Sequence, residues 1–355
     1  MRDNFTNLVL GVFLAIMIGW ILVVARPIIL PIVASLVVAY IVLGLAELIG
    51  RLPGVGTRLP AALRFALSLV AIGGALFLLV SMIVANVSAI VGVAPQYQDN
   101  LLRTIQAAAS GLGLETEPSW SNLREQFLAR IDLQRAFATA VASVLAIVAT
   151  TSIVVIYAGF LLLERGAFSA KLLRLSDDPE RVARIRQVIE DVNSRVGAYL
   201  VMKTLVSLLL GALSYGVMRV AGLEFAAFWA ILIGLFNYIP YVGSFIGVFF
   251  PVALAVLQFG ALGPVLALTA ALTAAQVAVG NFIDPMLMGN SLNLSPFVIL
   301  VSLVCWSAIW GVPGAILSVP ITAILVIVLS EFDGTRPIAV LLSRDGEVAP
   351  RGAAR

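Results

Sequence analysis

Phe236 to Phe245 reads FNYIPYVGSF, a bend without one charged residue between two apolar runs. A loop that meets water normally carries Lys, Asp or Glu. This one carries Asn237, Pro240, Gly243 and the tyrosines Tyr238 and Tyr241 instead. Two readings stand. A bend at membrane depth has to satisfy its freed backbone groups inside the protein, and an amide with two phenolic hydroxyls can do that. A tight turn at the headgroup level would place the same tyrosines in the aromatic belt. Both readings require the flanking runs to be membrane helices.

Composition agrees. Of 355 residues, 61% are hydrophobic and 12% charged, and the mean hydropathy is +1.08, far from the roughly one-quarter charged residues of soluble domains. The apolar runs are long and continuous, so the predicted class is all-α, a polytopic membrane protein, and not a barrel of short alternating strands. There is no histidine, and Cys305 is the only cysteine. Intrachain disulfides and cysteine or histidine metal centres are therefore excluded, and no cofactor is expected. The net charge of +3 comes from basic loops and carries no nucleic-acid signature.

Five spans are predicted in the first part of the chain: Leu8 to Ala25, Ile28 to Ile49, Ala66 to Val91, Ala136 to Leu163 and Thr204 to Ala221. Residues 1–91 thus hold three spans, 92–135 form an extracytoplasmic helical segment, and 136–163 form the fourth span. Residues 164–203 are read as a cytoplasmic amphipathic elbow helix, 204–330 as a transport core and 331–355 as a tail. Arg51, Arg58 and Arg64 cluster around one loop, and eight basic residues lie between Glu164 and Lys203, whereas Gly92 to Arg135 has four arginines against five acids. The positive-inside rule then puts both termini in the cytoplasm. Asp178 followed by Pro179 reads as the cap and first residue of the amphipathic helix.

The later apolar stretches, Phe225 to Ile239, Ser244 to Gln258, Leu262 to Ile283, Pro296 to Trp310 and Pro313 to Leu329, are interrupted by Gly and Pro. A 15-residue helix rises only ~22 Å, too little to cross a ~30 Å core unaided. Broken or re-entrant helices lining a solute site are the expected consequence. About eight crossings are predicted, one pair being re-entrant; ten would follow if none is. Both the Asn237–Gly243 bend and the Trp310–Gly314 bend qualify.

Within Ala274 to Asp284 the polar residues Gln276, Asn281 and Asp284 fall inside an arc of about 140° on a regular helix, a stripe facing the bundle interior. Asp284 is the only acidic or basic side chain between Glu224 and Glu331, which makes it a functional candidate. The alternative is an N-cap for a short helix beginning at Pro285. Lys203, at the mouth of the fifth span, is expected to snorkel to the interface. Neither Lys171 nor Lys203 lies in a phosphate-binding loop, and neither HExxH nor GxSxG occurs, so ATP hydrolysis by that machinery and the familiar intramembrane hydrolases drop out.

FNYIPYVGSFIG, followed by GNFIDPMLMGNSLNLSPFVILVSLVCWSAIWGVPGAILSVPITAILVIVL, resembles the signature half of the autoinducer-2 exporter family, the PerM/TqsA-like permeases. The matching elements are Pro240, Gly243, Asn281, Pro285, Gly289, Leu294, Pro296, Gly311, Gly314 and Pro320. They cover residues 200–330 most strongly. Many members carry a proline where this chain has Ser244, which makes the bend less rigid here. The resemblance implies a secondary carrier or channel-like exporter in the bacterial inner membrane, assembled as a homo-oligomer, with some relatives proposed to exchange sodium for protons. It also implies a hinge set of Pro285, Gly289, Pro296, Gly311, Gly314 and Pro320. The predicted function is ATP-independent export of a small polar metabolite of the autoinducer-2 kind. Two alternatives are a cation/proton antiporter carried by Asp284 and a structural or assembly protein of the membrane.

Overall fold

The computed structural model describes residues 2–52, 59–82, 149–164, 178–288 and 292–347 with a few isolated positions beside them. The extracytoplasmic segment expected over 92–135, the first part of the fourth span, Gly289 and the chain after 347 lie outside the described residues. Among those described, every regular element is a helix. The expected polytopic all-α class is what forms.

Helix α1 (Arg2–Val24) is joined to α2 (Arg26–Arg51) by Ala25 alone, and Pro27 occupies the first turn of α2, where it needs no amide partner. Helices α3 (Ala61–Met82) and α4 (Ala149–Glu164) follow. Gly73 faces Val155 and Gly159 faces Leu69, so small residues set the approach of α3 to α4.

Helix α5 (Pro179–Val220) is the spine. The Asp178 side chain accepts a bond from the Glu180 amide at 3.0 Å, the cap that the sequence announces. The amphipathic stretch then runs into the fifth span without a break, as one helix of 42 residues, about 63 Å long. The expected elbow is thus continuous with the span it feeds.

Helix α6 (Ala226–Phe236) folds back along α5, and α7 (Val242–Phe259) returns beside it. The crossing of α5 and α6 is close because Gly211 and Gly234 face each other: a Cβ at Gly234 would stand 2.9 Å from the Ser207 carbonyl oxygen. At the far end Gln258 clasps the α5–α6 turn, donating to Gly222 O and accepting from Glu224 N, both at 2.8 Å. Next comes α8 (Leu262–Ala278), a π-turn over Val279–Ile283, and α9 (Asp284–Met288). Val206, Leu210, Ile233, Leu254, Leu268 and their neighbours bury the core between α5 and α8.

The last hairpin pairs α10 (Pro296–Trp310) with α11 (Val312–Ser330). Its α11 arm packs on α5 through Val319, Ala323 and Val326 against Val196 and Leu200. Beyond it, the segment expected to be a plain tail contains α12 (Arg336–Leu342). It continues into a strand-like bridge between Ser343 and Leu294. Among the described residues, six helical segments are long and apolar enough to cross a membrane, and four shorter apolar ones accompany them.

Candidate functional site

Every fourth residue of α5 from Tyr199 onward lies on one face, so Tyr199, Lys203 and Ser207 form a column, with Thr204 beside it. The column is polar in the apolar half of α5, whose first half carries the charged residues from Glu180 to Arg195. Its partners come from the uncharged bend and from the π-turn.

The bend delivers two of them. The Asn237 amide is buried and donates to Ser207 Oγ at 3.0 Å. Tyr238 and Thr204 share a hydroxyl–hydroxyl bond of 2.6 Å. Thr204 spends its own proton on the Leu200 carbonyl at 2.6 Å, so the phenol of Tyr238 is the donor. The chain reverses through a γ-turn in which the Val242 amide reaches the Pro240 carbonyl at 2.6 Å. Tyr241 at its centre has φ 60° and ψ −54°, the strained form of that turn. Gly243 then passes so near the Phe236 carbonyl that a Cβ would collide with it.

The π-turn delivers the third partner. The Asp284 amide bonds to the Val279 carbonyl, five residues back, which inserts one residue relative to an α-turn. On a regular helix Asp284 would stand about 80° away from Gln276; the extra residue sets it back by about 100°, leaving the two within about 20°. Asp284 therefore turns to α5, where Lys203 Nζ meets Oδ2 at 2.9 Å. Both side chains are largely enclosed, with 10% of the lysine and 21% of the aspartate side chain accessible. Oδ1 is buried and has no hydrogen-bond partner among the described residues. Tyr199 lies within electrostatic range of the same carboxylate.

Two sequence expectations are overturned here. Lys203 does not snorkel; it is 8% exposed and ion-paired, because the carboxylate offers in the interior what snorkelling would seek outside. Asp284 is not an N-cap, since its φ of −54° and ψ of −54° are helical and the chain runs through it without a break.

Of the residues singled out from sequence, Asn237, Tyr238 and Asp284 gather on the α5 column. Gln276 is buried two turns away, its amide nitrogen 3.2 Å from where a Cβ at Gly247 would be. Asn281 and Tyr241 are exposed, and Pro240 is half-buried with no polar role beyond its carbonyl. Of the hinge set, Pro285 follows the ion-paired aspartate, Pro296 opens α10, Gly311 separates α10 from α11, and Gly314 and Pro320 are buried in α11. Tyr199, Thr204 and Ser207 escaped the sequence reading, which took Lys203 only as an interfacial lysine. Their i, i+4 spacing was visible, and the periodicity rule applied to 274–284 would have found them at the start of the fifth span.

A family model described as "AI-2E family transporter" matches residues 10–334. A "Putative transport protein" of Borreliella burgdorferi is 34% identical over 196 residues, 54% of either chain. The "AI-2 transport protein TqsA" of Escherichia coli K12 is 28% identical over 347 residues, covering 94% of this chain and 96% of the relative. A "Putative transport protein" of Haemophilus influenzae is 28% identical over 343 residues, 96% of this chain and 97% of the relative.

Proposed function

The chain belongs to the AI-2E family of transporters, and on that footing we propose that it exports a small, neutral, hydroxyl-rich metabolite of the autoinducer-2 type without consuming ATP. The coarse part needs no proposal: this is a multi-pass membrane protein of a bacterial transporter family. The finer part rests on one observation, the Lys203–Asp284 pair set among Tyr238, Thr204, Asn237 and Ser207. An ammonium donor beside a carboxylate with one unpartnered oxygen suits a solute whose hydroxyls both donate and accept, and the pair as a whole is neutral. The printed name of the Escherichia coli relative supports the same solute class.

The rival reading, a sodium–proton antiporter carried by Asp284, is weakened by the ammonium that already neutralises the carboxylate. Enzymatic chemistry is not expected of a member of a transporter family, and a homo-oligomer with both termini in the cytoplasm remains part of the proposal. Reporters fused at Leu52 and Leu175 should read cytoplasmic; an external reading at Leu175 would overturn that orientation.

The deciding experiment is transport of a metabolite panel that includes autoinducer-2 by purified protein in liposomes, with and without sodium and proton gradients. Movement of a hydroxylated neutral solute without ATP is expected, reduced roughly tenfold or more in Asp284→Ala, since hydrogen bonds to charged groups contribute that much. No difference between wild type and Asp284→Ala for any solute would defeat the reading.

A further inference from the structure

Lys203 has a role that a solute-binding site does not by itself require. A carboxylate held largely out of water must find a counter-charge, and the groups that face Asp284 are few. From α5 come Lys203 and Tyr199, and Tyr238 of the bend lies within electrostatic range of Tyr199. The α11 helix, packed on the same side of α5, brings no charged residue. On α2, the charged residue nearest its contact with α5 at Gly44 is Glu47, whose side chain is 76% exposed and directed to Arg51 at 3.9 Å. Lys203 is thus the single cation paired with this carboxylate among the described residues. Beside the ammonium stands the oxygen that a hard monovalent cation would choose, Asp284 Oδ1, buried and without a partner among the described residues.

We propose that Lys203 determines specificity by acting as a tethered counter-ion: its ammonium fills the cation position that Asp284 would otherwise offer, and so excludes sodium from the pathway. An ammonium on a four-carbon stem is a compact point charge that needs no second guanidinium nitrogen to fill the space. Fixed positive charge is a known means of keeping cations out of a membrane pathway. Removing it leaves a buried bare carboxylate, an arrangement costly enough to recruit whatever cation is at hand. The inference rests on the proposed transport pathway, but it is tested by ion binding with no transported solute present, so the two fail separately.

The test is thermal unfolding of the purified full-length protein in sodium chloride and in choline chloride at equal ionic strength, for wild type, Lys203→Gln, Asp284→Asn and the double variant. Wild type should unfold at the same temperature in both salts. Lys203→Gln should gain about 3 °C in sodium, and the double variant should gain nothing. A sodium gain in wild type that Asp284→Asn removes would overturn the proposal, as would a folded Lys203→Gln indifferent to sodium. Should Lys203→Gln fail to fold in choline, rescue by sodium upholds the proposal. Rescue by the added Asp284→Asn change alone, or by neither, overturns it, because the carboxylate then binds no sodium or the lysine is needed for packing.

Discussion

The two late hairpins look alike in sequence and are held in different ways. Both turn without a charge, through FNYIPYVG in one and WGVPG in the other. The α6–α7 bend is fastened by side chains: Asn237 to Ser207 and Tyr238 to Thr204, one step along α5 from the ion pair. The α10–α11 bend is fastened by backbone and bulk. Gly311 has φ 67° and ψ −144°, and the buried Trp310 donates its indole proton to the Leu22 carbonyl of α1 at 3.0 Å. The hairpins touch where Ile239 of the first bend packs against Leu303 and Ala315 of the second. One bend is therefore coupled to the polar column, and the other braces it. Strain is distributed accordingly. The first bend keeps a tyrosine in a left-handed conformation, and the second uses glycine for its own. Among the described residues Phe225 and Asn293 also have positive φ, but Tyr241 alone stands beside residues that reach the polar column.

This contrast is breakable at three scales. The largest effect is expected from filling the two tight approaches. In Gly243→Leu the new side chain meets the Phe236 carbonyl, and in Gly314→Leu it meets the Trp306 carbonyl. We expect Gly243→Leu to abolish transport with a smaller loss of assembled protein, and Gly314→Leu to lose both together, read by liposome transport and by the yield from size-exclusion chromatography. Parallel losses in both variants would erase the distinction between a coupled bend and a bracing one.

Intermediate effects of opposite sign should come from the two left-handed residues. Gly311→Ala forces a side chain into a region nearly reserved for glycine and should cost about 1–3 kcal/mol in thermal or denaturant unfolding. Tyr241→Gly relieves the same kind of strain at an exposed position and should raise the unfolding temperature by a few degrees while lowering transport. A Tyr241→Gly protein that is less stable would mean that the phenol ring, not the backbone, matters there.

The smallest effects sharpen the comparison. Tyr238→Phe deletes one hydrogen bond and should cost about 1 kcal/mol of stability, whereas Trp310→Phe deletes one and also empties part of a buried site, so it should cost about 2 kcal/mol. Only Tyr238→Phe should also slow transport, since it releases the bend from Thr204. Equal transport by the two variants would place the bend outside the working pathway.

Much of the fold was legible from the chain. Long apolar runs, the Asp178-Pro179 start of α5 and the Gly/Pro breaks of the late half each carry local physics: burial of apolar surface, a capped helix end, a backbone that cannot continue. Asp284 was also legible, because a lone acid in an apolar stretch is costly anywhere and so marks itself. Its partner was not. Lys203 lies 81 positions away along the chain, and a lysine at a helix mouth has a sufficient explanation in snorkelling until the element that packs against it is known.

The stripe of Gln276, Asn281 and Asp284 shows the same division more sharply. Sequence determined that these residues are polar in an apolar helix and that the late half is broken; composition and periodicity suffice for both, because they act over one or two helical turns. Which of the three faces the interior was decided only in three dimensions. One residue inserted at the π-turn rotates everything after it, turning Asp284 onto Lys203 and leaving Asn281 exposed. That insertion is invisible to a regular 100° wheel, since its benefit, a charge paired instead of bare, is realised between helices and not within one.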